Sequence, residues 1–402
     1  MSTHAVFSPS SAHRWMACPG SIAANEGIED KGSPAAFEGT VAHDIAERAL
    51  TRGLPVSTFV GLEFFDDDTL TLVTVNEEMA AFVQRYVDFV EAEYAAMPDP
   101  KFLGVECKLP LGFMTGESDA TGTADTVLLS INTLHVVDLK FGRGERVDAV
   151  GNPQLLMYAA AALEEYGVLF DNIRTIKATI HQPRLNHVST AEYSTAHLQN
   201  FLRNIRVAVK NAESSNPPRH AGEKQCRWCR AQATCPEFQA TVAEEVGFDA
   251  ADPSEFDDVS GVAEKPDDVL GKSMQAVPLV ELWCKAVRAE TERRLLAGTP
   301  VAGFKLVQGK RGNRAWADAK DAEQMLKSFR LKVEEMYDLK LISPTKAESL
   351  LKTEHIGPRQ WKKLTELITQ SDGQPSVAPE ADPRPALSLT GAAKDFSDLT
   401  KE

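Results

Sequence analysis

Two carboxylates and a lysine, Asp125, Asp138 and Lys140, fall within residues 122–158, GTADTVLLSINTLHVVDLKFGRGERVDAVGNPQLLMY. Asp138 and Lys140 are two positions apart in an apolar run, and on a strand that spacing sends both side chains from one face. Asp125 lies in a neighbouring apolar run, so a hairpin between the runs brings the two carboxylates together. Such a pair suits a hard divalent cation, Mg2+ or Mn2+, which takes oxygen ligands and keeps waters that exchange with phosphate oxygens. The cation polarises a phosphate and lowers the pKa of a bound water, while Lys140 orients that water or offsets developing negative charge. Gln154 and Tyr158 are four apart at a helix start and present one face to the same spot. His43 is a further ligand where its helix packs over that edge. An Asp-x-Lys alone is a common solvated pair; the combination of all these positions is far more restrictive.

A second group is made of sulfur. Cys226-x2-Cys229-x5-Cys235 has a metal-ligand spacing, and Cys18 is a distant fourth. Four thiolates hold either a [4Fe-4S] cluster or a tetrahedral zinc, and spacing does not choose between them. Ligation through Cys18 would staple the N-terminal helix to the far end of the domain. Of the six cysteines, Cys107 and Cys284 sit in apolar contexts and read as packing residues.

The elements that must position these groups follow from periodicity and punctuation. A short helix from Ser8-Pro9-Ser10 ends at Pro19-Gly20, and a second over 35–50 stops at Gly53 and carries His43 and Glu47 on one face. Residues 76–97 recur as a core helix. Strands are predicted over 102–109, 124–129 and 134–140, the last two joined by a polar turn at 131–133. Glu106 and Lys108 fall on one side of the first of these, and Glu106 is a weaker candidate ligand. Asn152-Pro153 opens a helix to Gly167, a strand follows over 173–180, and a helix over 195–212. Helix, three strands, helix, strand predicts an α/β fold, a mixed central sheet flanked by helices.

Domains are expected as 1–240, an acidic linker over 241–270, a smaller and mainly helical module over 271–370, and a disordered tail over 371–402. Inside the module, a short hairpin is expected over 303–316 and helices over 318–328 and 344–352. Apolar and charged fractions of 43% and 25% are those of a water-soluble globular chain, and no apolar run is long enough to span a bilayer. The first residues lack a basic head and apolar middle, which predicts a cytoplasmic location and reduced thiols. A net charge of −15 argues against a nucleic-acid partner, but its distribution is uneven. Arg203, Arg206, Lys210, Arg219, Arg227 and Arg230 could follow a phosphate backbone, and Lys310, Arg311 and Arg314 could extend that track.

With these residues in view, the sequence resembles the PD-(D/E)XK nuclease superfamily, in its RecB-like branch. The likeness rests on Gly122-Thr123-Ala124-Asp125, Val137-Asp138-Leu139-Lys140, Gln154-x3-Tyr158 and His43. It implies a restriction-endonuclease-like core in which His43, Asp125, Asp138 and the carbonyl of Leu139 bind metal, Lys140 is catalytic, and Gln154 and Tyr158 complete a DNA-facing motif. Ala124 stands where the superfamily's name has proline. One cysteine before these motifs and three after is similar to iron-sulfur nucleases of the AddB type and CRISPR-associated RecB-like exonucleases, and this favours [4Fe-4S] over zinc. The layout over about residues 5–240, with His181-Gln182-Pro183-Arg184, resembles a group of phage and prophage nucleases. The resemblance thus implies a Mg2+- or Mn2+-dependent DNA exonuclease in a bacterial host cytoplasm. Its substrate would be linear DNA ends, single- or double-stranded, prepared for a single-strand annealing recombination protein. The other reading is a non-catalytic nucleic-acid-binding or scaffold protein on the same platform, against which Asp125, Asp138 and Lys140 argue.

Overall fold

The computed structural model describes residues 5–28, 32–170, 172–246, 267–305 and 357–365. The chain divides into two compact units, Met1–Val307 and Gln308–Glu402. In the first unit a 3-10 turn at Pro9–Ser11 leads into α1 (Ala12–Ala17) and α2 (Ser21–Asn25), then α3 (Pro34–Arg52). A hairpin of β1 (Glu63–Asp66) and β2 (Thr71–Thr74) precedes α4 (Glu77–Ala96). β3 (Lys101–Pro110), α5 (Gly112–Thr115), β4 (Thr121–Ser130) and β5 (Thr133–Leu139) follow. Then come α6 (Pro153–Tyr166), β6 (Thr175–Gln182), β7 (His187–Ser194) and α7 (Thr195–Ala212). α8 (Glu223–Arg227), α9 (Pro236–Val246) and α10 (Asp267–Leu296) complete the described part of this unit. In the second unit, α11 (Pro358–Thr365) is described by itself.

β3 to β7 form one five-stranded sheet in chain order. Neighbours are antiparallel except β5 and β6, which are parallel and joined through α6. A parallel pair needs such a crossover. The sheet is covered on both faces, so its central strands are apolar almost throughout. On one face α6 and α7 bury Leu155, Leu156, Leu198, Phe201 and Ile205 against Leu129, Val136 and Ile180. On the other, α3 and α4 bury Val41, Ile45, Val83 and Val87 against Leu128, Val137 and Leu139. The expected mixed sheet flanked by helices is therefore present.

Local sequence explains the ends. Ser33, Asn76 and Ser194 each accept a backbone N–H in the first turn of α3, α4 and α7, and Gly53 closes α3 at φ 63°. β7 and the β1–β2 hairpin were not expected from the sequence. β7 alternates partly buried and exposed residues at the sheet edge, a weak apolar signal. The stretch after the cysteines, expected to be irregular linker, is helical over α9. Its Phe238 and Val242 pack with Leu279, Val280 and Trp283 of α10, so apolar residues spaced along an acidic segment decide its structure. For the same reason α10 belongs to the first unit and not to a separate module beginning at 271. Val301 and Phe304 form an isolated bridge where a hairpin was expected. The rest of that hairpin, the helices over 318–328 and 344–352, and the tail over 371–402 lie outside the described residues. No helix among the described residues is long and apolar enough to cross a membrane.

Candidate active site

The antiparallel register of β4 on β5 ends at Thr126 opposite Val137, so Asp125 and Asp138 are the next pair across the ladder. They do not point the same way. In β3, Val105 lines a pocket with His43 and Tyr86 while Cys107 and Leu109 lie in the core under α6; strict alternation would put all three on one face. The sense changes at Glu106, whose φ of 46° is left-handed. A non-glycine residue held there inside a strand is locally strained, a feature concentrated at functional sites. β4 changes sense opposite it: Thr126 bonds Tyr86 of α4, whereas Ala124 lies in the core under α6. Glu106 and Asp125 are thus both turned towards α3, and Asp138 keeps its place facing α6.

His43 of α3 meets the turned pair. Its Nδ1 lies 3.4 Å from Asp125 Oδ1 and 3.7 Å from Glu106 Oε1. One ligand atom from each of His43, Glu106 and Asp125 falls within 4.8 Å of the others, and no other His, Cys, Asp or Glu group among the described residues does this. The three side chains are partly exposed, so a solvated ion could reach them. Burial pulls the His43 imidazole down, but its hydrogen bonds to Asp125 and Glu106 override this and lift it to about 10. A proton therefore occupies the position where a cation would sit. Asp125 Oδ2 also accepts the Leu139 N–H at 2.7 Å. That bond fixes the second oxygen and leaves the first towards His43.

Asp138 faces α6 and meets Lys140 and Gln154. Its carboxylate is buried and accepts Gln154 Nε2 at 2.8 Å, while Lys140 Nζ lies 3.2 and 3.0 Å from its two oxygens and donates to Gln154 Oε1 at 3.1 Å. The approach to Oδ2 is off the hydrogen-bonding direction, so that oxygen has a charge contact and no hydrogen bond. Burial pushes the Asp138 carboxyl up to about 6, with Lys140 opposing and Asp125 reinforcing. Burial would lower the Lys140 ammonium, but Asp138 and Asp125 hold it above its ordinary value. Asn152 caps α6 by accepting the Gln154 and Leu155 N–H groups, which sets Gln154 in the first turn facing Asp138. Tyr158, one turn on, hydrogen-bonds Gln154, and burial with the charges of Asp138 and Asp125 raises its phenol. Its ring passes so near Gly122 that a Cβ there would stand 3.1 Å from it. The conjunction of Gly122, Gln154 and Tyr158 is spatial as well as sequential.

Sequence reasoning gave no role to His181-Gln182-Pro183-Arg184. In the fold its residues lock the site's edges. The His181 carbonyl accepts the Lys140 N–H at 2.9 Å. Gln182 accepts the Val147 N–H and donates to the Glu145 carbonyl, pinning the loop before α6. Arg184 makes two bonds of 2.7 and 2.6 Å to Glu38 of α3 and lies 4.2 Å from the Phe141 ring centre. Glu38 is five residues before His43, so this clamp fixes the helix that carries the histidine. Only the Arg-carboxylate spacing across 146 residues could have signalled it, and a sequence does not display such a distance.

The four predicted cysteine ligands come together. Cys18, Cys226, Cys229 and Cys235 line one cavity between α2 and α8. Three of the sulfurs accept N–H groups, Cys18 from His220 N, Cys226 from Gly222 N and Cys229 from Asn25 Nδ2. Burial raises the Cys18 thiol and pushes Cys226 up to about 11, so a bound metal would have to displace those protons. Tetrahedral zinc with bonds of ~2.3 Å would hold its sulfurs ~3.8 Å apart. No three of these sulfurs lie within 4.8 Å of one another. Docking of the two halves does not wait for a metal: Gly20 N bonds the Pro218 carbonyl at 2.8 Å, and a Cβ on Gly20 would strike Pro217 O at 2.7 Å.

A family model described as a protein of unknown function, DUF2800, matches residues 4–385. The chain belongs to the DUF2800 family. The solved structure described as "Crystal structure of SSO0001" is similar at 15% identity and a TM-score of 0.20, over 38% of this chain and 66% of that one. At that score the likeness carries no argument about fold or chemistry.

The expected phosphate track of this DUF2800 protein is changed by its ion pairs. Arg203, Arg206 and Lys210 are exposed on α7. Arg227 pairs with Glu145 and Glu223 at the surface. Arg230 donates to the Ile28 carbonyl. Lys310, Arg311 and Arg314 lie outside the described residues. Cys107 is buried in the main core, as expected, while Cys284 on α10 is half-buried.

Proposed function

We propose that this protein is a divalent-metal-dependent deoxyribonuclease, an exonuclease acting on linear DNA ends, with a structural iron-sulfur centre. The observation that carries the reading is the meeting of His43, Glu106 and Asp125 beside the Asp138–Lys140–Gln154 network. The first three would hold Mg2+ or Mn2+, and the Leu139 carbonyl, on the strand edge that faces Asp125, stands near them. The cation would supply polarisation of a phosphate and a water of lowered pKa. Lys140 keeps its proton between Asp138 and Gln154 and so presents a fixed positive charge to a phosphorane-like transition state. Asp138 holds that ammonium in place, and its unbonded oxygen can orient a water or complete a cation's coordination. Gln154 and Tyr158 fix the angle of the lysine and close the site on the α6 side. The arrangement is consistent with the restriction-endonuclease-like core implied by the motifs. The resemblance, with the four cysteines lining one cavity, favours [4Fe-4S] over zinc. Preparation of single strands for an annealing recombination protein is the role the resemblance suggests.

The test is cleavage of end-labelled linear DNA by anaerobically purified protein in Mg2+ or Mn2+, beside Asp125→Ala and Lys140→Ala. Each substitution is expected to cost on the order of a thousandfold, about 4 kcal/mol of transition-state stabilisation. Native protein that cuts no faster than these variants would end the enzyme reading.

A further inference from the structure

A cleft of about 1020 Å3 opens between the N-terminal turns and the cysteine segment. Its walls carry Ser10, Ser11, His13 and Arg14 from one side and Trp228 and Arg230 from the other. That volume is at the upper end of sites that take a whole small ligand, roughly 300–1,000 Å3. Trp228 is 70% exposed and takes part in no ring stacking among the described residues, although it sits between two buried cysteines. A large indole held open by a rigid neighbourhood is costly to leave in water unless something covers it. Arg14 opposite is buried and makes no ion pair among the described residues; its guanidinium bonds the Ser21 carbonyl. His13 Nε2 is buried without a hydrogen-bond partner. Glu26 is the acidic residue of the lining.

Pro9, within the same turn as Ser8 and Ser10, and Tyr158 both pack beside Gly122. Burial, and then the charge of Arg14, keep the His13 imidazole below its ordinary value. An exposed aromatic plane, a buried guanidinium, hydroxyls and an imidazole form a nucleotide-binding composition.

We propose that this cleft holds a single-stranded segment of the nucleic acid, with a base stacked on Trp228 and the backbone drawn towards Arg14. The inference rests on the nuclease reading for its place in the molecule, and it names the substrate form as single-stranded. Bases inside a duplex have both faces covered, so an indole can stack only on a splayed or unpaired base.

Binding of a fluorescein-labelled oligothymidine to the full-length holoprotein, followed by anisotropy in EDTA so that nothing is cut, tests it. Trp228→Ala should weaken single-strand binding about tenfold, Trp228→Phe should restore most of it, and duplex of equal length should bind both proteins alike. Unchanged melting and iron content in Trp228→Ala would show that the loss is local. Native-like single-strand binding by Trp228→Ala, or equal loss for duplex, overturns the proposal. The two readings fail separately. Trp228-dependent binding without Mn2+-dependent cleavage leaves the cleft and removes the nuclease, whereas cleavage with binding indifferent to Trp228 does the reverse.

Discussion

At the residue scale, the site is defined by which carboxylate takes which partner. Glu106, the weakest candidate by sequence, stands with His43 and Asp125, while Asp138 is given over to Lys140 and Gln154. Strand alternation alone would have put Asp125 and Asp138 side by side; the change of sense at Glu106 and Asp125 separates them. The proton on His43 makes this testable. Its folded value of about 10 exceeds the ordinary 6.5, so it favours the folded state at low pH and that contribution is lost as pH rises towards 10. Asp138, raised from 3.8 to about 6, acts in the same direction and loses its contribution as pH rises between those values. In ion-free buffer these groups make stability fall with rising pH. Mg2+ must displace the His43 proton, so it should raise the melting temperature more at pH 8.5 than at pH 6, with proton release seen by calorimetry in two buffers. An equal shift at both pH values, without proton release, would contradict His43 as a ligand.

The element scale concerns how α3 is held over the sheet. Its apolar face packs on α4 and β5, which fixes the contact but leaves freedom to slide along the axis. The Glu38–Arg184 clamp, with Phe141 under the guanidinium, removes that freedom. The arginine beside it, by direct hydrogen bonds, holds the Glu38 carboxyl below its ordinary value. Arg184 is nearly buried and Glu38 only partly so, and Arg184→Met is expected to destabilise by about 2 kcal/mol. A change in Mn2+ affinity separates positioning from simple support. Arg184→Met should weaken Mn2+ binding, measured by EPR titration at a temperature where the variant is fully folded. Native affinity in the folded variant would reduce the clamp to a packing contact.

At the scale of the whole molecule, Cys18, before the sheet in sequence, and Cys226, Cys229 and Cys235, after it, line one cavity. The proposed ligation there would close a loop that contains the entire five-stranded sheet, and its free energy would add to folding. Cys18→Ser should lower iron content and drop the melting temperature by more than about 5 °C, while protein that remains folded still binds Mn2+. Zinc without iron in anaerobic native protein would replace the cluster by a single ion. Sequence by itself determined the strands and helices around residues 122–158, because apolar runs, Asn152-Pro153 and the capping serines act through neighbours a few positions away. It also marked His43, Asp125, Asp138, Lys140, Gln154 and the four cysteines by type and spacing. Tertiary structure alone decided the rest. The left-handed turn at Glu106, its meeting with His43 and Asp125, the Arg184 clamp and the packing of α10 on α9 all depend on partners well beyond local sequence range. Such contacts are set by packing of finished elements, and no local pattern encodes the distance between them.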